Sequence, residues 1–245
     1  VLRFLCVSDI HGELDALRAV LATAEKRSFQ KLLVAGDIVF PGPEPLETWR
    51  RLSAAGAIMV QGVSDRALAT LNPDDLTPQT EHEKSRLARM REVQTQLGEL
   101  VLGRLRRTPT HVRMPLEDGR ELLLVHGSPM DASEPLTHDM SDEELLALIG
   151  DDPADVIVCG MSHVPFDRTV ADIRIINVGS VGDAPDGASE GSLQSSDSST
   201  ASTAGSPVRT IAHATWIEST PAGISVEQIV VPLGATEGGP VRAVG

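Results

Sequence analysis

The chain has no tyrosine, and aromatic residues make up only 2% of it. A core with so few rings must be built from Leu, Val, Ile and Ala. The same scarcity removes the stacking platforms that hold single-stranded nucleic acids. Basic residues are also short. Lys and Arg number 21 against 35 Asp and Glu, which gives a formal net charge of −14 and a pI near 4.8. Such a surface repels nucleic-acid backbones and anionic membranes, so neither is an expected partner. A small phosphorylated substrate stays compatible, because bound cations dominate the field inside a metal site. Cysteine is limited to Cys6 and Cys159, each inside an apolar strand-like run. Buried free thiols are expected there, not a disulfide. No apolar run approaches the roughly 20 residues of a membrane span. No basic-then-apolar leader opens the chain, and a cytoplasmic protein is expected.

What is present, over 245 residues, is a chain long enough to bury a sizeable core. Up to about residue 60 it alternates as β-α-β-α-β. Strands are expected over residues 2–7, 31–35 and 57–60, with helices over 13–26 and 42–55 between them. That alternation implies parallel pairing with crossover helices. Residues 66–106 read as a helical cap, with a long helix over 81–106. Its narrow apolar stripe is Leu87, Met90, Val93, Leu97, Leu100 and Leu105. The second half is hairpin-rich. Strands over 110–115 and 121–125 flank the turn signal Glu117-Asp118-Gly119. Ser141 and Glu144 form a capping box before an apolar helix. A buried-type strand covers 155–159, a hairpin turns at Ala171-Asp172, and an antiparallel pair over 208–217 and 224–232 closes the domain. Residues 187–206 are a Ser-rich low-complexity stretch, expected as a disordered loop. A single domain is expected over 1–234, with a loose tail over 235–245.

Residues of metal-ligand type stand at the ends of these strands. Asp9 and His11 occur in Ser8-Asp9-Ile10-His11-Gly12 after the first strand. Asp37, in Gly36-Asp37, follows the second. His126, in Leu124-Val125-His126-Gly127-Ser128-Pro129, follows the hairpin. His163, in Gly160-Met161-Ser162-His163, follows the strand over 155–159. Each has a glycine nearby, which lets backbone approach a ligand closely. Singly, each motif reads as a turn or a cap. Five in this order read as a divalent-metal site, and mixed carboxylate and imidazole donors suit Mn, Fe or Zn. His82, His111, His138 and His213 have no motif context and read as surface or satisfied-core histidines.

The order of these motifs resembles the calcineurin-like metallophosphoesterases, nearest the small bacterial and archaeal phosphodiesterase-like branch. Gly42-Pro43-Glu44-Pro45, Val164-Pro165-Phe166 and Asn177-Val178-Gly179-Ser180-Val181-Gly182 add to the likeness, which covers roughly residues 2–187. The resemblance implies an α/β fold, a four-layer α-β-β-α sandwich of two packed mixed β-sheets. It implies one metal held by Asp9, His11, Asp37 and His163, and a second that shares Asp37 and uses His126. The second position departs from the family pattern. Val63 stands where an Asn ligand is expected, and Met161 where a His is expected. Neither offers a good donor to a hard or borderline cation. Ser64 stands where many relatives carry a catalytic His, and Ser is no general acid near neutral pH. The segment 182–187 lacks the Arg that close relatives often carry.

The resemblance therefore implies hydrolysis of a phosphate mono- or diester by a metal-activated water. One divalent ion would be well held, Mn first and Fe, Zn or Ni as alternatives, with two ions in an intact site. Asp37, His126 and Asp65 are the candidate catalytic residues, with Asp65 and Asn177 supporting the ligands from behind. Losing a partner metal and a general acid lowers the rate by roughly 10²–10⁴. The alternative is a catalytically inactive relative that serves as a binding or regulatory module for a protein partner.

Overall fold

The computed structural model describes residues 1–24, 27–151, 153–185, 209–234 and 242–244. Strand β1 (Leu2–Val7) opens the chain. It is followed by helix α1 (Leu14–Thr23), strand β2 (Lys31–Val34), helix α2 (Pro45–Ala54) and strand β3 (Ile58–Met59). The three strands run parallel, so each needs a crossover, and α1 and α2 supply it. Pro45 begins α2 at a position where its missing N–H costs nothing. Helix α3 (Val63–Thr70) and the long helix α4 (Glu81–Arg107) come next. Thr80 and Glu83 cap the start of α4 reciprocally. Gly98 breaks its regular path with φ 69° and ψ 166°. Beyond that break Val101, Leu102 and Leu105 face the core, while Leu100 is 69% exposed. The expected stripe therefore loses Leu100, because the kink resets which face of the helix is buried.

The hairpin of β4 (His111–Pro115) and β5 (Glu121–Val125) turns through Gly119 at φ 86°. Helix α5 (Asp142–Ile149) starts on the Ser141–Glu144 capping box. Strands β6 (Val156–Cys159), β7 (Phe166–Val170) and β8 (Ile173–Asn177) follow. Ala171 and Asp172, at φ 46° and 69°, make the tight β7–β8 turn. Strands β9 (Ile211–Thr220) and β10 (Gly223–Pro232) are a long antiparallel pair, and β11 (Arg242–Val244) lies on β10. Part of the tail expected to be loose is thus an edge strand. The Ser-rich stretch lies outside the described residues.

The strands form two mixed sheets, ordered β11-β10-β9-β1-β2-β3 and β4-β5-β6-β8-β7. Side chains alternate between the two faces of each strand. Phe4, Cys6, Leu33 and Ala35 point to Leu122, Leu124, Val156 and Val158 between the sheets. Leu5, Val7, Leu32 and Val34 point outward under α1, α2 and α4. Leu123, Val125, Ile157 and Cys159 point outward under α5. The result is a four-layer α-β-β-α sandwich. Cys6 and Cys159 sit in different layers as buried free thiols. Burial pushes both thiols far above their ordinary range, Cys159 to about 12. No helix among the described residues is long and apolar enough to cross a membrane.

Candidate metal centre

The carboxyl ends of β1, β2, β5 and β6 meet at one edge of the sandwich. The Asp9 N–H donates to the Gly36 carbonyl at 3.0 Å, and the His11 N–H to the Asp37 carbonyl at 2.9 Å. The Gly160 N–H donates to the His126 carbonyl at 2.9 Å. Asp9, His11, Asp37, Met161 and His163 hold φ between 49° and 68°. Side-chain-bearing residues adopt this region at a cost, and such strain gathers at functional sites. Here it turns three chain segments sharply towards a common point. Gly62 and Gly160 permit the close approach. A Cβ on Gly62 would lie 2.1 Å from Asp37 Oδ1, and one on Gly160 would lie 1.9 Å from Ser8 Oγ.

Two imidazoles are oriented by backbone. His11 Nδ1 lies 2.7 Å from the Phe40 carbonyl, which leaves Nε2 3.8 Å from Asp9 Oδ1. His126 Nδ1 lies 2.6 Å from the Ala35 carbonyl, which leaves Nε2 3.6 Å from Asp37 Oδ1. Each carbonyl fixes the tautomer with the proton on Nδ1 and the lone pair on Nε2. His126 Nε2 is buried and has no hydrogen-bond partner among the described residues. An orphaned lone pair facing a carboxylate is the arrangement a cation would satisfy. The donor set fits a divalent metal on that observation.

The five sequence candidates converge in two clusters. The ligand atoms of Asp9, His11 and His163 lie within 4.8 Å of one another, as do those of Asp9, Asp37 and His126. The clusters share Asp9, not Asp37. Asp37 Oδ1 instead takes the Ser64 N–H at 2.9 Å, beside His126. Asp9 Oδ2 takes the Met161 N–H at 2.9 Å, and Oδ1 faces His163 Nε2 at 3.2 Å.

Asp65 stands behind the ligands. It is wholly buried, and its two oxygens accept the Ile38 N–H at 2.9 Å and the Gly62 N–H at 3.0 Å. Both oxygens are committed to backbone, so Asp65 positions the loop beside Asp37. Burial, and then the negative charge of Asp37, raise its pKa to about 6. Asn177 is a buried support. Its amide donates to the Gly160 carbonyl at 2.6 Å and Ser162 Oγ at 2.9 Å, bracing the turn before His163. Val63 is 43% exposed and lines a separate cavity with Arg66 and His111. Ser64 Oγ is buried without a partner.

Several residues of the site carry no local sequence signal. Asp183 Oδ2 lies 3.5 Å from His163 Nδ1. Burial disfavours a charged His163, yet the bonds to Asp183 and Asp9 outweigh it and raise its pKa to about 10. The bond from His163 in turn holds Asp183 low. For Asp9, burial pushes upward, but the hydrogen bond and the charge of His163 hold it below the usual carboxylate range. Arg209, just before β9, pairs with Glu13 and stands 4.0 Å from Asp183. Burial lowers the pKa of His213 against the opposing pull of a hydrogen bond to the His163 backbone, and its Nδ1 has no partner among the described residues. It is therefore neither a surface nor a fully satisfied histidine. These groups join the site through long-range contacts that no spacing rule announces. The adjoining cleft has a volume of about 850 Å³ and includes His11, Asp37, Ser64 and His163 in its lining.

A family model, the calcineurin-like phosphoesterase superfamily domain, matches residues 2–196. The chain belongs to that superfamily. The family implies metal-dependent phosphoester hydrolysis. Among solved structures, the fold is shared with a hypothetical protein of Pyrococcus horikoshii OT3, at 19% identity and a TM-score of 0.71, covering 94% of this chain and 88% of that one. It is also shared with a metallophosphoesterase of Sphaerobacter thermophilus, at 23% identity and a TM-score of 0.64, covering 93% and 88%. Vps29 of Chaetomium thermophilum is similar at 14% identity and a TM-score of 0.52, covering 100% and 92%. No curated protein sequence matches the chain.

Proposed function

We propose that this phosphoesterase-family protein hydrolyses a small phosphate mono- or diester with one well-held divalent ion, Mn²⁺ first, at reduced activity. Asp9, His11 and His163 hold the ion, with Asp37 beside them. The observation that carries the proposal is the convergence of Asp9, His11 and His163, whose ligand atoms lie within 4.8 Å of one another, with the His11 ring oriented by the Phe40 carbonyl. A divalent ion there supplies a Lewis acid for a phosphoryl oxygen and acidifies water. The tautomer of His126 gives it a lone pair on Nε2, so it acts as a ligand and not as a donor to phosphate. Ser64, standing where many relatives carry a catalytic His, cannot deliver a proton as His would. Val63 and Met161 add no donor, so a second ion is held only by what Asp37, His126 and Asp9 provide.

A second reading has its own support. His163 Nε2 already meets Asp9 at 3.2 Å and its Nδ1 faces Asp183 at 3.5 Å, so side-chain contacts hold the site together without an ion. A chain at rest in that form is a binding module on the same fold. Metal analysis and assays with an aryl phosphate monoester and diester in Mn²⁺ separate the two. One ion per chain, with turnover abolished in Asp37→Ala, supports hydrolysis. No bound metal and no turnover above background sinks it.

A further inference from the structure

The cleft contains an arginine, Arg86, with no hydrogen-bond or ion-pair partner among the described residues. Helix α4 lines one side of it through Arg86, Arg89 and Glu92. Arg89 is spent on the Pro41 carbonyl at 2.8 Å, the Gly42 carbonyl and Glu92 at 2.6 Å. Arg209 pairs with Glu13 and stands 4.0 Å from Asp183, which occupies its Nη1 and Nη2 and leaves only a buried Nε. Arg86 lies one turn before Arg89. Its guanidinium lies over the Phe40 ring, 5.0 Å from the centroid.

Its place is tied to the candidate ligands. The Phe40 carbonyl receives His11 Nδ1 at 2.7 Å, and the Phe40 ring carries Arg86. The Gly42 N–H donates to the His11 carbonyl at 2.6 Å, and Arg89 grips the Gly42 carbonyl. A short run of contacts therefore holds this face of α4 at a set offset from His11. On a chain of net charge −14, an unpaired arginine in the cleft is the natural receiver of an anion. Its planar fork matches phosphate oxygens two at a time, and stacking on Phe40 orders it beforehand.

We propose that Arg86 selects small phosphoesters that carry a second phosphate, which it binds while the scissile phosphate lies at the metal ligands. This rests on the phosphoester reading above and names its substrate class. It also separates two roles for Arg86, because an arginine that only covers Phe40 with its stem is replaceable by methionine.

The test is calorimetric titration in Mn²⁺ with fructose 1,6-bisphosphate and fructose 6-phosphate as probes, using wild type, Arg86→Met and Arg86→Lys. Wild type should prefer the bisphosphate. Arg86→Met should weaken the bisphosphate about tenfold, the worth of one charged hydrogen-bonded contact, and leave the monophosphate within about twofold. Arg86→Lys should recover part of the loss. Equal affinities in wild type, an undiminished bisphosphate in Arg86→Met, or no binding of either sugar overturns the assignment. Turnover of an aryl monoester is measured separately. If it is absent while the bisphosphate preference stands, hydrolysis fails and the role of Arg86 survives. If it is present without the preference, the reverse holds.

Discussion

Replacing Asp65 by Asn should make the protein relatively more stable as pH rises. The carboxyl has an ordinary value of 3.8 and is raised to about 6 in the fold. Burial is the first cause, and the neighbouring charge of Asp37 is the second. Between these two values the folded chain holds a proton that the unfolded chain has released, so stability falls as pH climbs from 3.8 to 6 and is level above. The total is ~3 kcal/mol, from about 1.36 kcal/mol per pH unit. The side chain is wholly buried, so solvent screening takes little from it. Asn mimics the protonated acid and does not titrate. The stability difference between variant and wild type should therefore shift by about 2 kcal/mol in favour of the variant between pH 4.5 and pH 7.5.

Urea unfolding of both proteins in a chelator, at four or five pH values, reads this directly. A flat difference, or one that moves towards wild type with rising pH, refutes the account of Asp65. Repeating the series with Mn²⁺ extends it to function. An ion beside Asp37 cancels the second cause of the shift, so the pH dependence should shrink. If Mn²⁺ binds and the dependence is unchanged, Asp37 is not among its ligands. Asp65 would then be a carboxylate kept at a cost in stability for the placement of Gly62 and Ile38, the exchange that functional loops often make.

Other substitutions probe the same centre. Gly62→Ala puts a Cβ 2.1 Å from Asp37 Oδ1 and should weaken Mn²⁺ binding at least about tenfold, since ligand misplacement of this kind defeats a preorganised site. Gly103→Ala in α4 meets nothing nearer than 3.7 Å and should keep metal affinity while adding about 0.5–1 kcal/mol of stability. Asp183→Asn removes the first partner that keeps His163 protonated up to about 10. Titrations at pH 7 in buffers of different ionisation enthalpy should then show fewer protons released per Mn²⁺ and tighter binding. Weaker binding would mean that Asp183 is itself a ligand. Val63→Asn with Met161→His should raise metal content towards two ions per chain by mass spectrometry or elemental analysis. Content that stays at one contradicts the placement of the second ion.

Much of the architecture was legible because strand periodicity is a local property. Phe4 and Cys6 against Leu5 and Val7 already separate the inner face of a sheet from its outer face. Leu122 and Leu124 against Leu123 and Val125 repeat the lesson in the second sheet. The strand-end ligands were legible for a related reason. A parallel strand delivers its last residues to one edge of the sheet, so Asp9, Asp37, His126 and His163 had to come near one another once the pairing was known. The Gly98 break and the outward turn of Leu100 were not legible, since a glycine inside a helical pattern is usually tolerated in place. Asp183 and Arg209 were hidden more deeply, because their partners His163 and Glu13 are set by the closing strands and not by spacing.

Val63 and Met161 show why reading identities alone gives an incomplete account of the second position. Their side chains plainly lack good donors, and that much is sequence. What the sequence does not say is that the remaining donors need no ion to hold them. The Ala35 carbonyl fixes His126, and the Ser64 N–H fixes Asp37. The survival of these two residues in ligand-like poses is therefore weak support for a second ion, because backbone hydrogen bonds would keep them there without one. The partnerless His126 Nε2 is stronger support, since no backbone contact accounts for it. The case for an ion at this second position rests on that nitrogen. Metal titration of the wild type tests it, since an ion bound there must engage the lone pair of His126.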